Sequence, residues 1–491
     1  MRVGFLTLLM ASAALGQGPR ELIVLEQTVQ NAIARAEPSI ACIVVSRSDR
    51  YREFGAQPTA PSMGKLGDFY SRQHRNDARE KLAKQLDLSL LDHVPEAYGS
   101  GVVIDPNGLI LTNYHVVRDA TKIYVRLPGR VGSYADIHAA DARADLAVLR
   151  LTDPMPNLPV IPIGDGSNLK KGSWVISLAN PFSSGFRDGS PSASWGIVSN
   201  LRRRAPGETQ EDQRTRNLQQ YGTLIQTDAR LNLGCSGGAL LDMRGELIGL
   251  TTSLAALVGG ETAGGYAVPM DAEYRKIIEV LRQGREVEYG FLGVSVTPQN
   301  PFDAGERRGV VLAGVTPGSP AGMAGLRAND IILSVNNRPI REYDDLFLTV
   351  GAALAGREVV LQVQSGGMTR KMKLTLAKFG HPLPAIVSDP GPNRFGLRVD
   401  YTSLLIDGNR QLPEMPIGVL VRDVQPGSVA EKKLKPLLEG NARLVITRVN
   451  GQPMPTPAEF YERTAQLKQM ELTLIDPTRP EVPARTVTLF E

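Results

Sequence analysis

Cysteine is scarce: Cys42 and Cys235 are the whole complement in 491 residues. Two thiols cannot build the disulfide framework of a small secreted scaffold; a single bridge between them stays open, but stability is not expected to rest on it. Charge imbalance is also missing. The 55 Lys and Arg residues against 51 Asp and Glu leave a formal net charge of +4, and the one basic run, Arg202-Arg203-Arg204, reads as a solvated loop. Aromatic residues are only 5% of the chain, so it lacks both the charge and the stacking platforms of a nucleic-acid partner. Beyond the first 16 residues no apolar stretch is long enough for a membrane span. No metal-ligand spacing, phosphate loop or dinucleotide fingerprint appears, so neither metal nor cofactor is expected.

What is present begins with an N-terminal export signal. Met1-Arg2, an apolar run from Val3 to Leu15 and small residues around Gly16 read as a signal peptide over 1–16, which directs the mature chain out of the cytoplasm. The length then calls for about three domains. Leu25, Val29, Ala32 and Ile33 fall at helical spacing ahead of Pro38, and Ile40 to Val45 is a β-branched run expected to form a buried strand. Residues 46–99 turn polar and read as a long surface insertion. Order returns at Gly99, where two apolar runs flank Asp105-Pro106-Asn107-Gly108 and predict a hairpin whose second strand carries Tyr114-His115-Val116-Val117. Short strands follow around Ile123, Leu146, Trp174, Gly196, Leu247 and Tyr266, with no helix between them. That pattern predicts an all-β barrel or sandwich, closed by a helix over 271–281 with Tyr274, Ile277, Ile278 and Leu281 on one face.

Past Gly284 the sequence repeats itself. Phe291-Leu292-Gly293-Val294 is echoed by Phe395-Gly396-Leu397, Gly309 to Ala321 by Gly418 to Ala430, and Ile331 to Ile340 by Leu444 to Met454. Blocks recurring in one order mean two copies of a small domain, over 285–378 and 394–491, joined by a proline-rich linker near Lys378 to Asn393. The second copy diverges where Lys433 to Arg443 replaces Ala324 to Asp330.

Gly234-Cys235-Ser236-Gly237-Gly238 is the segment with the clearest chemistry. A serine between glycines has little steric cover, and the glycines allow a tight turn that aims successive N–H groups at one point. His115 alone would be a packed histidine, and Asp145 alone a strand-end charge. In the order His, Asp, Ser they match a nucleophile, its base and the group that orients the base. With their contexts, Thr112 to Val117, Asp145 to Leu149 and Gly234 to Leu240, they resemble the three catalytic blocks of the HtrA-type (high-temperature-requirement) trypsin-like serine proteases, and the repeated modules resemble PDZ domains.

The resemblance implies a mainly β chain: a trypsin-like double β-barrel over 17–284 followed by two PDZ domains. It implies Ser236 as nucleophile, His115 as general base and then acid, Asp145 as its orienting acceptor, and the N–H groups of Gly234 and Ser236 as oxyanion hole. Leu231, Arg230 and Tyr266 are implied at the substrate pocket, with small aliphatic side chains favoured if Leu231 faces it and acidic ones if Arg230 does. Phe291-Leu292-Gly293-Val294 is implied as the loop that takes a peptide C-terminus. The Gly- and Ser-rich segment Pro181 to Ser194 falls at a mobile activation loop of the family. The implied function is an exported, ATP-independent endopeptidase acting on unfolded or damaged proteins, periplasmic, cell-envelope or extracellular, and trimeric or larger. Two residues depart from the pattern: Tyr114 stands where alanine or asparagine is usual, and Cys235 where asparagine or aspartate is. They leave two rivals, an inactive peptide-binding scaffold or chaperone and a cysteine-dependent hydrolase. If Tyr114 precedes the base on a strand, its side chain points away from His115.

Overall fold

A computed structural model of the protein describes residues 20–48, 87–90, 97–204, 218–252, 264–297, 309–381, 385–406, 412 and 414–490. The expected signal peptide and residues 49–86 and 91–96 of the expected insertion lie outside them. Two compact units divide the chain. One takes the described residues to Gly284 together with Ala385–Ser388, and the other takes the rest.

In the first unit α1 (Arg20–Ala36) leads into β1 (Ile40–Ser46), buried along its whole length. The reason is position: β1 is paired at both edges, with β4 (Lys122–Leu127) and β2 (Ala97–Asp105), and both faces are covered, Ala41, Ile43 and Val45 by the barrel core and Cys42 and Val44 by Leu88 and Phe186, so an unbroken apolar run suits that place. The Asp-Pro-Asn-Gly hairpin forms as expected between β2 and β3 (Leu109–Thr112), with Gly108 at φ +95° and the Asp105 carboxylate accepting from the Asn107 N–H at 2.9 Å. Residues Tyr114–Val117 are not the end of that strand. They form a single helical turn, α2, after Asn113 leaves the sheet. With β5 (Val131–Asp141) and β6 (Leu146–Leu151) the strands run β5-β4-β1-β2-β3-β6, and pairing of β5 with β6 closes a barrel around Ile43, Val103, Ile110, Val125 and Leu149.

The second barrel is closed in the order β10-β11-β12-β9-β8-β7, from β7 (Trp174–Ala179), β8 (Ser192–Arg203), β9 (Leu224–Thr227), β10 (Ala239–Leu241), β11 (Leu247–Thr252) and β12 (Gly265–Pro269). Its core is Val175, Val198, Ile225, Leu240, Ile248 and Ala267. The closing helix α3 (Ala272–Arg282) buries the four residues predicted for it, and Asp271 caps it by accepting from the N–H groups of Glu273 and Tyr274.

Two segments, one expected as a surface insertion and one as a linker, are built in. Leu88, from the insertion, is fully buried with Cys42, Val44, Tyr124 and Phe186, and the adjoining Asp87 accepts a hydrogen bond from the Tyr134 hydroxyl at 2.9 Å. In the expected linker, Ile386–Val387 pairs with Ala139 and Ala140 of β5 as an added strand.

In the second unit the two repeats give sheets of one design. Strands Val294–Val296, Val310–Val315, Ile331–Val335, Glu358–Ser365 and Met368–Thr375 pair in that order, as do Leu397–Tyr401, Val419–Val424, Val445–Val449, Gln469–Ile475 and Arg485–Phe490. The same glycine detail recurs. Gly293 (φ +83°) and Gly396 (φ +79°) leave a Cβ only 2.2 and 2.1 Å from the Cβ of Ser319 and Ser428, each of which caps the next short helix. Between the repeats' strands lies Lys378, 3% exposed, its ammonium 2.8 Å from Asp400, 2.9 Å from Glu286 and 3.1 Å from Glu288. Those three carboxylates are the one cluster among the described residues with metal-like spacing, and the cation among them is a lysine. No described helix is long and apolar enough to cross a membrane.

Candidate active site

Asp145 immediately precedes the strand β6 in a left-handed conformation, φ +55°, which costs a non-glycine residue about 1–2 kcal/mol. Its carbonyl repays part of this by accepting from the Tyr114 N–H at 3.1 Å and the Asn113 amide at 3.0 Å. The turn α2 is thereby fixed to the acid, and the Asp145 carboxylate reaches His115 twice. It accepts from the His115 backbone N–H at 3.0 Å and faces the ring Nδ1 at 2.8 and 3.0 Å. A carboxylate can only accept, so Nδ1 carries a proton and Nε2 is left as the basic nitrogen. Burial by itself would lower the imidazole pKa, but the facing Asp145 charge and its hydrogen bond outweigh it, and the pKa is raised above the ordinary 6.5. Because α2 is helical, Tyr114 is displaced from His115 by the helical step and not by strand alternation.

Ser236 is 6% exposed, at the head of the loop entering β10. Its turn is fixed from both barrels. From β2, the Ser100 N–H donates to the Ser236 carbonyl at 2.7 Å, while the Ser100 hydroxyl donates to the Gly234 carbonyl at 2.8 Å and accepts from the Asn180 N–H. From β11, Thr251 bonds the turn three times: its hydroxyl to the Cys235 carbonyl at 2.6 Å, its N–H to the Gly238 carbonyl and its carbonyl to the Gly237 N–H, both 2.8 Å. A peptide's C=O and N–H point in opposite directions. Anchoring the Cys235 carbonyl on Thr251 therefore turns the Ser236 N–H away from Thr251. Likewise the Phe182 N–H holds the Leu233 carbonyl at 2.7 Å and sets the Gly234 N–H. Gly234 (φ +93°) and Gly237 (φ +85°) have no room for a side chain, since a Cβ would sit 2.6 Å from the Asn180 carbonyl and 2.1 Å from the Ser100 carbonyl.

Cys235 is buried at 3% exposure, and its Sγ accepts from the Asn232 N–H at 3.3 Å. Burial pushes its thiol pKa up, the reverse of what a nucleophilic cysteine needs. Both cysteines are free. The Leu231 side chain lies over Gly265 of β12, whose Cβ would be 2.2 Å from Leu231 Cδ1; Tyr266 is half-buried, and Arg230 is exposed. Pro181–Phe186 of the expected activation loop is a short helical segment in which Phe182 and Ser183 hold positive φ. In the second unit, Phe291, Gly293 and Val294 line a cleft with Val315 and Phe379, and Val294–Val296 stands at the edge of its sheet, with no strand on its other side among the described residues.

Ser100 and Thr251 stand outside the three catalytic blocks of the sequence. Ser100 did leave a trace in Gly99-Ser100-Gly101, since glycines flanking a strand residue mark a close approach; here Cβ atoms would meet Val116 at 2.6 Å and Ile110 at 2.7 Å. Thr251, inside a buried strand, left none.

Comparison with known proteins places the chain by sequence and fold. Residues 99–250 match the model of a trypsin-like peptidase domain and 290–376 that of a PDZ domain. A relative from Ectopseudomonas mendocina (strain ymp), "Probable periplasmic serine endoprotease DegP-like", is 30% identical over 448 residues, covering 89% of this chain and 88% of its own. One of the same description from Pseudomonas fluorescens is 32% identical over 378 residues, covering 75% and 74%. The solved structure of the HtrA-type protease AlgW with a tripeptide aligns at 25% identity and a TM-score of 0.51, over 72% of this chain and 98% of that one. The chain belongs to the HtrA/DegP-type family of trypsin-like serine endopeptidases that carry a PDZ domain.

Proposed function

We propose that Ser236 attacks the scissile carbonyl while His115 Nε2 takes its proton and then passes it to the leaving amine. Asp145 keeps the ring in the correct tautomer and stabilises the imidazolium, and the N–H groups of Gly234 and Ser236 receive the developing oxyanion. The observation that carries this reading is the carboxylate of Asp145 bound to both Nδ1 and the backbone N–H of one histidine. Leu231 over Gly265 favours small aliphatic side chains in the pocket beside Tyr266, with the exposed Arg230 outside it.

The test is a pH profile. His115 works only as the neutral base, so kcat/KM falls as pH drops through its folded pKa. Because Asp145 raises that value, the acid limb is expected to have a midpoint above 6.5. A flat profile, or a midpoint well below this, would count against His115 as base.

The setting is an exported, ATP-independent protease for unfolded or damaged chains; its relatives are described as periplasmic. The open edge of Val294–Val296 beside Phe291 to Gly293 suits a peptide that adds as a strand and leaves its carboxylate in the loop. A peptide with a free C-terminus should bind and its amidated form should not. The second repeat, with the same strand order and Gly–Ser contact, is read as a further PDZ domain.

Assembly into a trimer or larger oligomer is supported by apolar surface. Trp174 and Trp195, 40% and 54% exposed, pack at a ring separation of 4.7 Å; α1, which contacts β7, also exposes Leu22 and Val24, each 59%. Light scattering of Trp174→Asp should then give the monomer mass. An unchanged oligomer would remove this face from the interface.

A further inference from the structure

Asp145 has a third partner. Gln219, 0% exposed in the short helical segment Leu218–Tyr221 that precedes β9, donates from its Nε2 to Asp145 Oδ2 at 3.0 Å. The amide orientation follows from chemistry, because a carboxylate oxygen facing it requires the NH2 end. Its other end, Oε1, is buried with no hydrogen-bond partner among the described residues. An amide half unsatisfied in the interior is a liability to stability, and a residue serving packing alone would be apolar. The segment is held in place independently of Asp145. The Leu218 N–H donates to the Arg143 carbonyl at 2.6 Å, the Leu218 carbonyl accepts from the Thr223 hydroxyl at 3.2 Å, and Thr223 in turn accepts from the Tyr274 hydroxyl of α3 at 3.3 Å.

We infer that Gln219 is a positioning residue for catalysis, fixing the plane and the charge of the Asp145 carboxylate that orients His115. This role rests on the triad assignment above and follows from the two oxygens of the carboxylate. Oδ1 is oriented by the His115 N–H, and Oδ2 faces Nδ1. Without a second anchor on Oδ2 the carboxylate can pivot about its bond to the backbone N–H, and the ring loses its fixed plane. The Gln219 dipole also draws on the negative charge that Oδ2 presents to the imidazole, so it moderates how far Asp145 raises the His115 pKa. The other charges acting on His115 are those of Arg118 and Arg47, and the hydroxyl of Tyr274 lies within the reach of Asp145 and Asp141; none of these is altered by a change at 219.

Gln219→Met keeps the volume and removes the donor. In the full-length protein it is expected to lower kcat about 10- to 100-fold, the range seen when a supporting partner of an active group is lost, with KM within about twofold since no substrate contact changes. The acid limb of kcat/KM should move to higher pH, because Asp145 then faces His115 with its full charge. Circular dichroism melting checks that the variant is folded, and the low-field proton resonance of His115 Nδ1–H gives a second reading, expected to shift from its wild-type position. A folded variant with wild-type kcat, an unmoved acid limb and an unmoved resonance would overturn the role of Gln219 while leaving the triad intact, as would a loss confined to KM. Failure of the triad itself has a different sign: wild-type and Ser236→Ala proteins would then hydrolyse peptide equally.

Discussion

Ser236→Ala is expected to lower kcat by about 10⁴- to 10⁶-fold, the range for removing the nucleophile of an assembled triad, with substrate binding little changed. The residual rate would come from the oxyanion donors and from binding, since Thr251, Ser100 and Phe182 hold the turn through backbone groups that the substitution does not touch. Labelling by a fluorophosphonate probe should disappear with the activity. Cys235→Ala is the paired control and should retain both. The thiol is buried, bonded to the Asn232 N–H and raised in pKa, so its removal takes away a small packing group and no nucleophile. Labelling lost in Cys235→Ala and kept in Ser236→Ala would establish the cysteine-dependent hydrolase. Labelling absent from the wild-type chain would establish the inactive scaffold.

The largest effect on stability is expected at Lys378→Met. The ammonium is buried among Asp400, Glu286 and Glu288, and Arg422 adds bonds to Asp400 at 2.7 Å and to Glu286 at 2.5 Å. Removing the ammonium takes away one of the two cations that compensate the buried Asp400 carboxylate; breaking a buried pair costs about 3–5 kcal/mol, and the bonds that Arg422 keeps to Asp400 and Glu286 place the loss at the lower end. Burial would raise the Glu286 pKa, but the charges of Lys378 and Arg422 outweigh it and hold it below the ordinary 4.5. A depressed carboxylate contributes stability above its unfolded pKa, which is lost as pH falls through the folded value; the wild-type C-terminal unit should therefore weaken below pH 4.5. Lys378 has the opposite sign, because its raised pKa supplies stability below the ordinary 10.5 that is lost as pH rises through the folded value. Denaturant unfolding of the full chain followed by circular dichroism reads the change. Tryptophan fluorescence would not report it directly, since Trp174 and Trp195 both belong to the other unit. An unchanged transition for Lys378→Met, matching that of a control at the exposed Lys435, would show the cluster to be inert.

The elements that could be read from sequence were those whose periodicity and punctuation agree. The run Ile40 to Val45, the Asp105 to Gly108 turn and the apolar face of α3 each answer to one local rule. β5 has no local signature, because Val131–Asp141 mixes Gly, Ser, Ala, Asp and His and owes its strand to partners on both sides. The segment Tyr114–Val117 looked like strand because it is apolar and β-branched, yet the Asn113 and Tyr114 bonds to the Asp145 carbonyl draw it into a helical turn. The same limit separates the site's residues. His115, Asp145 and Ser236 stand in motifs with their own local signature, whereas Thr251 and Gln219 matter only for what lies across from them after folding.

The single proton of Ser100 has a wider consequence. That hydroxyl belongs to one barrel, donates to the Gly234 carbonyl in the other and accepts from Asn180 at the end of β7, so three chain segments converge on one oxygen. A barrel folded alone cannot complete this arrangement. Hydrolytic competence is therefore expected to depend on barrel docking, and a chain with only one barrel folded should lack the ordered turn that cutting itself or its neighbours would need.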